Sequence, residues 1–190
     1  MPEQSIAKET IVQIQAKAKP KIEEMIAEYL DGESRQSIFN FLEICKANGV
    51  KTPWSATNRW VLKLNKNTIG MIYIGIKPCG DIKKGVQQNV WYTVVYGAPN
   101  LIHEELSKEG LSDKEKEDIA HVIHGNLARC AYHKKACSPL KPVTILGKEF
   151  TESDDLCGCG DGINYGILFT NADDKTLYWI NKAFELKNNV

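Results

Sequence analysis

The sequence predicts a single α+β domain in which an antiparallel sheet of about four or five strands is covered by amphipathic helices. Three observations predict it. Apolar residues recur at helical spacing up to Gly49, alternate over Arg59 to Asn65 and Thr68 to Ile76 ahead of a β-branched and aromatic run to Tyr96, and return to helical spacing after Ser112 and after Asp173 or Asp174. A chain of 190 residues has the length of one ordinary domain. No Pro/Gly/Ser-rich linker or internal repeat divides it. The expected organisation is a helical N-terminal part over 1–49, a β-meander over 50–97, and a segment over 98–190 with a helix, a cysteine-containing tail with short strands and a closing helix.

In chain order, Ile6, Ile11, Ile14 and Ala18 recur loosely and Ile22, Met25, Ile26, Tyr29 and Leu30 tightly. Pro20 divides them, because proline lacks a backbone donor and clashes with the preceding turn. A short polar helix followed by a better-packed one starting near Lys19 is expected. After Asp31-Gly32-Glu33-Ser34, either Ser34 or Ser37 is expected to cap a further helix that turns Ile38, Phe41, Leu42 and Cys45 inward, stopped by Gly49. An antiparallel helical pair then opens the chain.

The period next changes to two. Trp60, Leu62 and Leu64 share one strand face, Lys66-Asn67 is expected to turn the chain, and Thr68 to Ile76 alternates again. Asn89 to Tyr96, rich in β-branched and aromatic residues, makes a third strand. Ser112-Asp113-Lys114-Glu115 is a capping box opening a helix with Ile119, Val122, Ile123 and Leu127 inward, ending near Cys130. The Val143 and Tyr165 runs are expected to extend the sheet. Asp173 or Asp174 begins a last helix with Leu177, Ile180, Ala183 and Phe184 on one face.

Lys and Arg number 24 and Asp and Glu 24, so overall charge offers nothing to a polyanion or an anionic membrane. No apolar run approaches a membrane span, and the first twenty residues carry charges where a secretory leader would be apolar. The expected location is cytoplasmic. Charge is uneven along the chain, however. From Lys46 to Gly97 eight basic residues face one acid, Asp81. The same stretch carries Trp54, Trp60, Tyr73, Trp91, Tyr92 and Tyr96.

Aromatics interleaved with cations suit an anionic, partly apolar small molecule. They also suit stacked bases, but alternate strand positions favour burial over the exposure that stacking needs, which argues against nucleic acid. The candidate ligand-binding residues are Trp54, Asn58, Arg59, Trp60, Tyr73 and Trp91, with Arg59 pairing an anionic group and the rings burying an apolar body. The polar, aromatic run Thr52 to Trp60 lies just before a strand, where functional loops concentrate.

Four cysteines form two pairs, Cys130 with Cys137 and Cys157 with Cys159, and His133 lies inside the first. Four soft ligands are what structural zinc takes, although six intervening residues is wide and one is tight for a zinc-ribbon half. The glycines around Cys157 and Cys159 allow amides to face the thiolates and lower their pKa, which serves a redox dithiol equally well. Idle, buried thiols are the third reading. Cys45 lies on an apolar helix face and Cys79 in a turn.

Asp118, His121 and His124 share a helix face at ligand spacing, but the apolar positions beside His124 favour a half-buried core histidine. His103-Glu104-Glu105 lacks the second histidine of a zinc-protease motif, and no nucleophile elbow or phosphate-binding glycine loop is present.

The run Trp54-Ser55-Ala56-Thr57-Asn58-Arg59-Trp60, the pair Cys130 and Cys137, Ile145-Leu146-Gly147-Lys148-Glu149-Phe150 with a cysteine after it, and Phe169-Thr170-Asn171-Ala172-Asp173 form a familiar succession. Over about Ile38 to Lys187 the chain resembles a family of small uncharacterised bacterial proteins, with a helical start, a tryptophan-marked sheet and a cysteine-bearing tail. The resemblance implies that layout and a bacterial cytoplasmic protein, and carries no activity. Two functions are expected to compete. One is a non-enzymatic small-ligand-binding or interaction module with a structural zinc at the tail cysteines. The other is a thiol- or metal-dependent enzyme using Cys157 and Cys159, with His133 or His124 as base or ligand.

Overall fold

The computed structural model describes residues 10–78, 82, 85–97, 110, 112–125, 143–145, 147–150 and 166–188. Pro20 divides the first helical stretch as expected, into α1 (Ile11–Ala18) and α2 (Ile22–Tyr29). Thr10 and Gln13 form a capping box at the start of α1, and Lys19, in the left-handed region at φ 47°, ends it. The third helix, α3, runs Gly32–Ala47. Its first residue comes earlier than the sequence suggests, so Ser34 and Ser37 lie inside the helix and cap nothing. The Ser34 hydroxyl instead donates to the Asn89 carbonyl and that of Ser37 to the Ala172 carbonyl. Gly49, at φ 69°, supplies the expected left-handed stop.

Four strands follow: β1 (Trp54–Ala56), β2 (Arg59–Leu64), β3 (Asn67–Ile74) and β4 (Trp91–Tyr96). The β2–β3 turn is Asn65-Lys66, one residue earlier than expected, because Asn65 takes the positive φ of 55° that the turn requires. Helix α4 (Asp113–Gly125) opens with the Ser112/Glu115 capping box. Strands β5 (Val143–Ile145) and β6 (Lys148–Phe150) pair with each other as a separate hairpin, so the Val143 run does not extend the main sheet. The Tyr165 run does, as β7 (Gly166–Thr170). Helix α5 (Asp174–Asn188) closes the chain, with the Asp173 carboxylate accepting from the Thr176 amide at 2.8 Å.

The main sheet is fully antiparallel in the order β1-β2-β3-β4-β7, so the α+β reading with an antiparallel sheet and N-terminal helices holds. Alternation sends Trp60, Leu62, Ile72, Ile74, Trp91, Val95, Ile167 and Phe169 to one face. There they meet Ile22 and Ile26 of α2, Ile38 and Phe41 of α3, Ile119 and Ile123 of α4, and Leu177, Ile180 and Phe184 of α5 in one buried cluster. The Phe41 ring lies 5.3 Å from that of Trp91 and 6.2 Å from that of Phe184. Gly70 is the small residue this layer needs, since a Cβ there would collide with the Val94 carbonyl and the Leu62 side chain. On the opposite face Tyr73, Tyr92 and Val94 form a second buried cluster.

Candidate functional site

One end of the sheet is punctuated by asparagines. Asn58 precedes β2, Asn89 precedes β4 and Asn171 follows β7, with φ of 53°, 57° and 43°. Asparagine tolerates the left-handed region better than most residues, and its amide then bonds to neighbouring backbone. Asn171 accepts the Trp91 amide at 2.8 Å and donates to the Asn89 carbonyl at 3.0 Å, while Asn89 accepts the Asp31 amide through Oδ1 at 2.7 Å. Asn58 reaches α1. Its amide N–H donates to Gln15 Oε1 at 2.9 Å, its Oδ1 accepts from Gln15 Nε2 at 2.6 Å, and its Nδ2 donates to the Ile74 carbonyl at 2.9 Å.

Asn58 is fully buried with its side-chain oxygen, its side-chain nitrogen and its backbone N–H all engaged inside the protein, so it stands as a junction residue and not as a wall of a cleft. The other five candidate residues do not share one pocket. Trp60 and Trp91 are completely enclosed on the helix-covered face, where Trp60 Nε1 donates to the Pro20 carbonyl at 3.1 Å and Trp91 packs on Phe41. Arg59 and Tyr73 are cross-strand partners on the opposite face. Arg59 Nε is enclosed without an acceptor among the described residues. Among the described residues, Trp54 and Trp60 come together at an opening.

That opening is a groove of about 270 Å³ between the α1–α2 junction and β1. Lys19, Pro20, Lys21, Ile22 and Glu23 make one wall, Thr52, Pro53 and Trp54 the other, and Trp60 lies beneath. Pro20 is held there by the Trp60 indole and Ile22 by the core. Trp54 is half-buried, packed against the core through one side. Lys19 and Lys21 make no ion pair among the described residues, and Glu23 is the one acid on the wall. Lys21 is also the N-cap of α2 and provides no side-chain cap. The first amides of an uncapped helix are left for solvent or an anion, and the helix dipole has its positive end there. The groove is thus lined by two lysines and a helix start on one side and by Trp54 on the other. Sequence reasoning marked Trp54 but missed Lys19 and Lys21, whose signal was their position on either side of Pro20.

The remaining candidates are quickly placed. Asp118 lies 3.8 Å from Lys175 of α5, His121 is exposed and His124 half-buried, the last as its apolar surroundings suggest. No group of three metal-ligating side chains gathers among the described residues. Burial pushes the Cys45 thiol far above its usual pKa, away from nucleophilic use. Cys79, Cys130, His133, Cys137, Cys157 and Cys159 lie outside the described residues, as does His103. Comparison with family models, with curated proteins and with solved structures gives no match to this chain.

Proposed function

We propose that this protein is a small-ligand-binding module whose site is the groove beside Trp54, and whose ligand joins an anionic group to a flat apolar body. The observation that carries the reading is the pairing, across one open groove of about 270 Å³, of the Trp54 ring with two lysines that have no carboxylate partner among the described residues. That volume lies near the lower end of small-molecule sites. Lys21, the first turn of α2 and Lys19 receive the anion, and Trp54 and Pro53 receive the apolar part. Glu23 at the rim disfavours a second negative charge at the far end of the ligand.

The test uses phenyl phosphate and benzoate as probes, with neutral benzamide as the control. Tryptophan fluorescence should change saturably with the two anions and little with benzamide. Trp54→Phe should remove that change. Lys21→Gln should weaken binding about tenfold, the equivalent of one hydrogen bond to a charged group. Equal responses to benzamide and benzoate, or a response unaltered by Trp54→Phe, would overturn the reading.

A further inference from the structure

Helix α1 is anchored differently from its neighbours. It buries one residue, Gln15, whereas α2 buries Ile22, Met25, Ile26 and Tyr29. Ile11 is half-buried, and Val12 and Ile14 stand 43% and 49% exposed. Gln15 ties α1 to Asn58 through a reciprocal amide pair, and Ile11 packs against the core beside it. Both partners recover hydrogen bonds from water when they part, and less apolar area is exposed than α2 would expose with its four buried side chains. The hinge is equally well defined, because Lys19 ends α1 in the left-handed region and the buried Pro20 stays pinned by the Trp60 indole. Lys19 is therefore the last residue that would move with α1, and it lines the groove.

We infer that α1 is a strap whose docking through Gln15 and Asn58 is coupled to occupancy of the groove. The inference rests on the groove being a binding site, as proposed above. With α1 docked, Lys19 completes the wall that begins at Lys21. With α1 released, the Pro20 to Glu23 wall and Trp54 remain and the Lys19 part is lost. An occupant touching Lys19 binds the docked state more tightly, and by linkage it must hold α1 down by the same factor.

Hydrogen exchange on the full chain tests this with and without phenyl phosphate. In the free protein the hydrogen-bonded amides from Ile14 to Lys19 should exchange at least about tenfold faster than that of Leu30 at the end of α2. Saturating phenyl phosphate should slow the α1 amides about threefold or more and leave Leu30 unchanged. Gln15→Ala, and the milder Gln15→Glu, should weaken phenyl phosphate binding by a similar factor without shifting the melting temperature appreciably. If the α1 amides of the free protein are as protected as that of Leu30, the strap is overturned whatever binds the groove. If phenyl phosphate binds in a Trp54-dependent way but leaves α1 exchange unchanged, the coupling fails and the binding proposal stands. If phenyl phosphate does not bind at all, the binding proposal falls and the coupling with it.

Discussion

Two junctions at the same end of the sheet use the same chemistry and differ in what stands behind them. At the first, Asn58 holds Gln15 of α1 through one amide pair, and the half-buried Ile11 of α1 packs on the core beside it. At the second, Asn89 and Asn171 tie β4 and β7 to the α2–α3 turn through the Asp31 amide, the Ser34 hydroxyl and the Tyr29 carbonyl. Behind that second junction lie Phe41, Trp91 and Phe184 in ring contact. Hydrogen bonds of one kind give unequal local stability, because opening the second junction exposes aromatic core and opening the first does not.

The most severe way to break this contrast is to remove the backing. Phe41→Ala should cost about 3–5 kcal/mol, as large-to-small aromatic truncations in cores do. Chemical denaturation should show it as a lower midpoint. The amides of Asp31 and Trp91 should then lose their protection relative to wild type. A smaller effect is expected from cutting the polar links alone. Asn171→Ala leaves the Trp91 amide without its acceptor and should cost about 1–3 kcal/mol in the same measurement. Gln15→Ala at the other junction should move the global midpoint by less than about 1 kcal/mol, since only a locally opening element is touched. Comparable losses from Gln15→Ala and Asn171→Ala would erase the distinction.

Protonation sharpens it further. Burial, with a contribution from the neighbouring Glu28, pushes the Tyr29 hydroxyl from its ordinary 10.0 up to about 12. A raised folded-state value means that its contribution is intact below pH 10 and is lost as pH rises through about 12, because the unfolded chain releases the proton first. The second junction, whose Asn89 amide bonds to the Tyr29 carbonyl, should therefore loosen in alkali before Gln15 and Asn58, which do not titrate. Exchange of the Asn89 and Asp31 amides between neutral pH and pH 11 reads this out. Acid acts elsewhere, at the start of α5. Thr176, through hydrogen bonds to the Asp173 carboxylate, holds that carboxyl below its ordinary value. The start of α5 should keep that support above the unfolded-state pKa and lose it as pH falls through the lowered one. Asp173→Ala should remove about 1 kcal/mol at neutral pH, as the loss of a cap does, and nothing further at the acid limit.

What could be read in the sequence is what repeats locally. Strands β2 to β4, the inward faces of α3 and α5 and the cap of α4 follow from alternation, helical spacing and a capping box. β1 was hidden because three residues with a register shift show no alternation. Strands β5 and β6 show a turn glycine, Gly147, but nothing in a short run states which sheet it joins. The candidate ligand residues were half-legible. Aromatic content marked Trp54 and the basic meander, whereas the fate of Asn58 depends on Gln15, 43 residues away. Ser34 and Ser37 were misplaced as caps for the same reason, since their acceptors, the carbonyls of Asn89 and Ala172, are distant in sequence.

The position of β7 has a consequence for how the chain assembles. Strands β2, β3 and β4 are consecutive, and their pairing closes loops much shorter than the one that precedes β7. Pairing β7 with β4 must instead close a loop of roughly seventy residues, at an entropic cost that grows with the logarithm of its length. The nucleus of folding is therefore expected in the β2–β4 meander with α3, and β7 with α5 docks late. Until it does, the apolar β4 offers an unpaired edge to any neighbouring chain. The interval before β7 arrives is when this protein is most exposed to aggregation, and dilution or fast refolding should raise the yield of native chain.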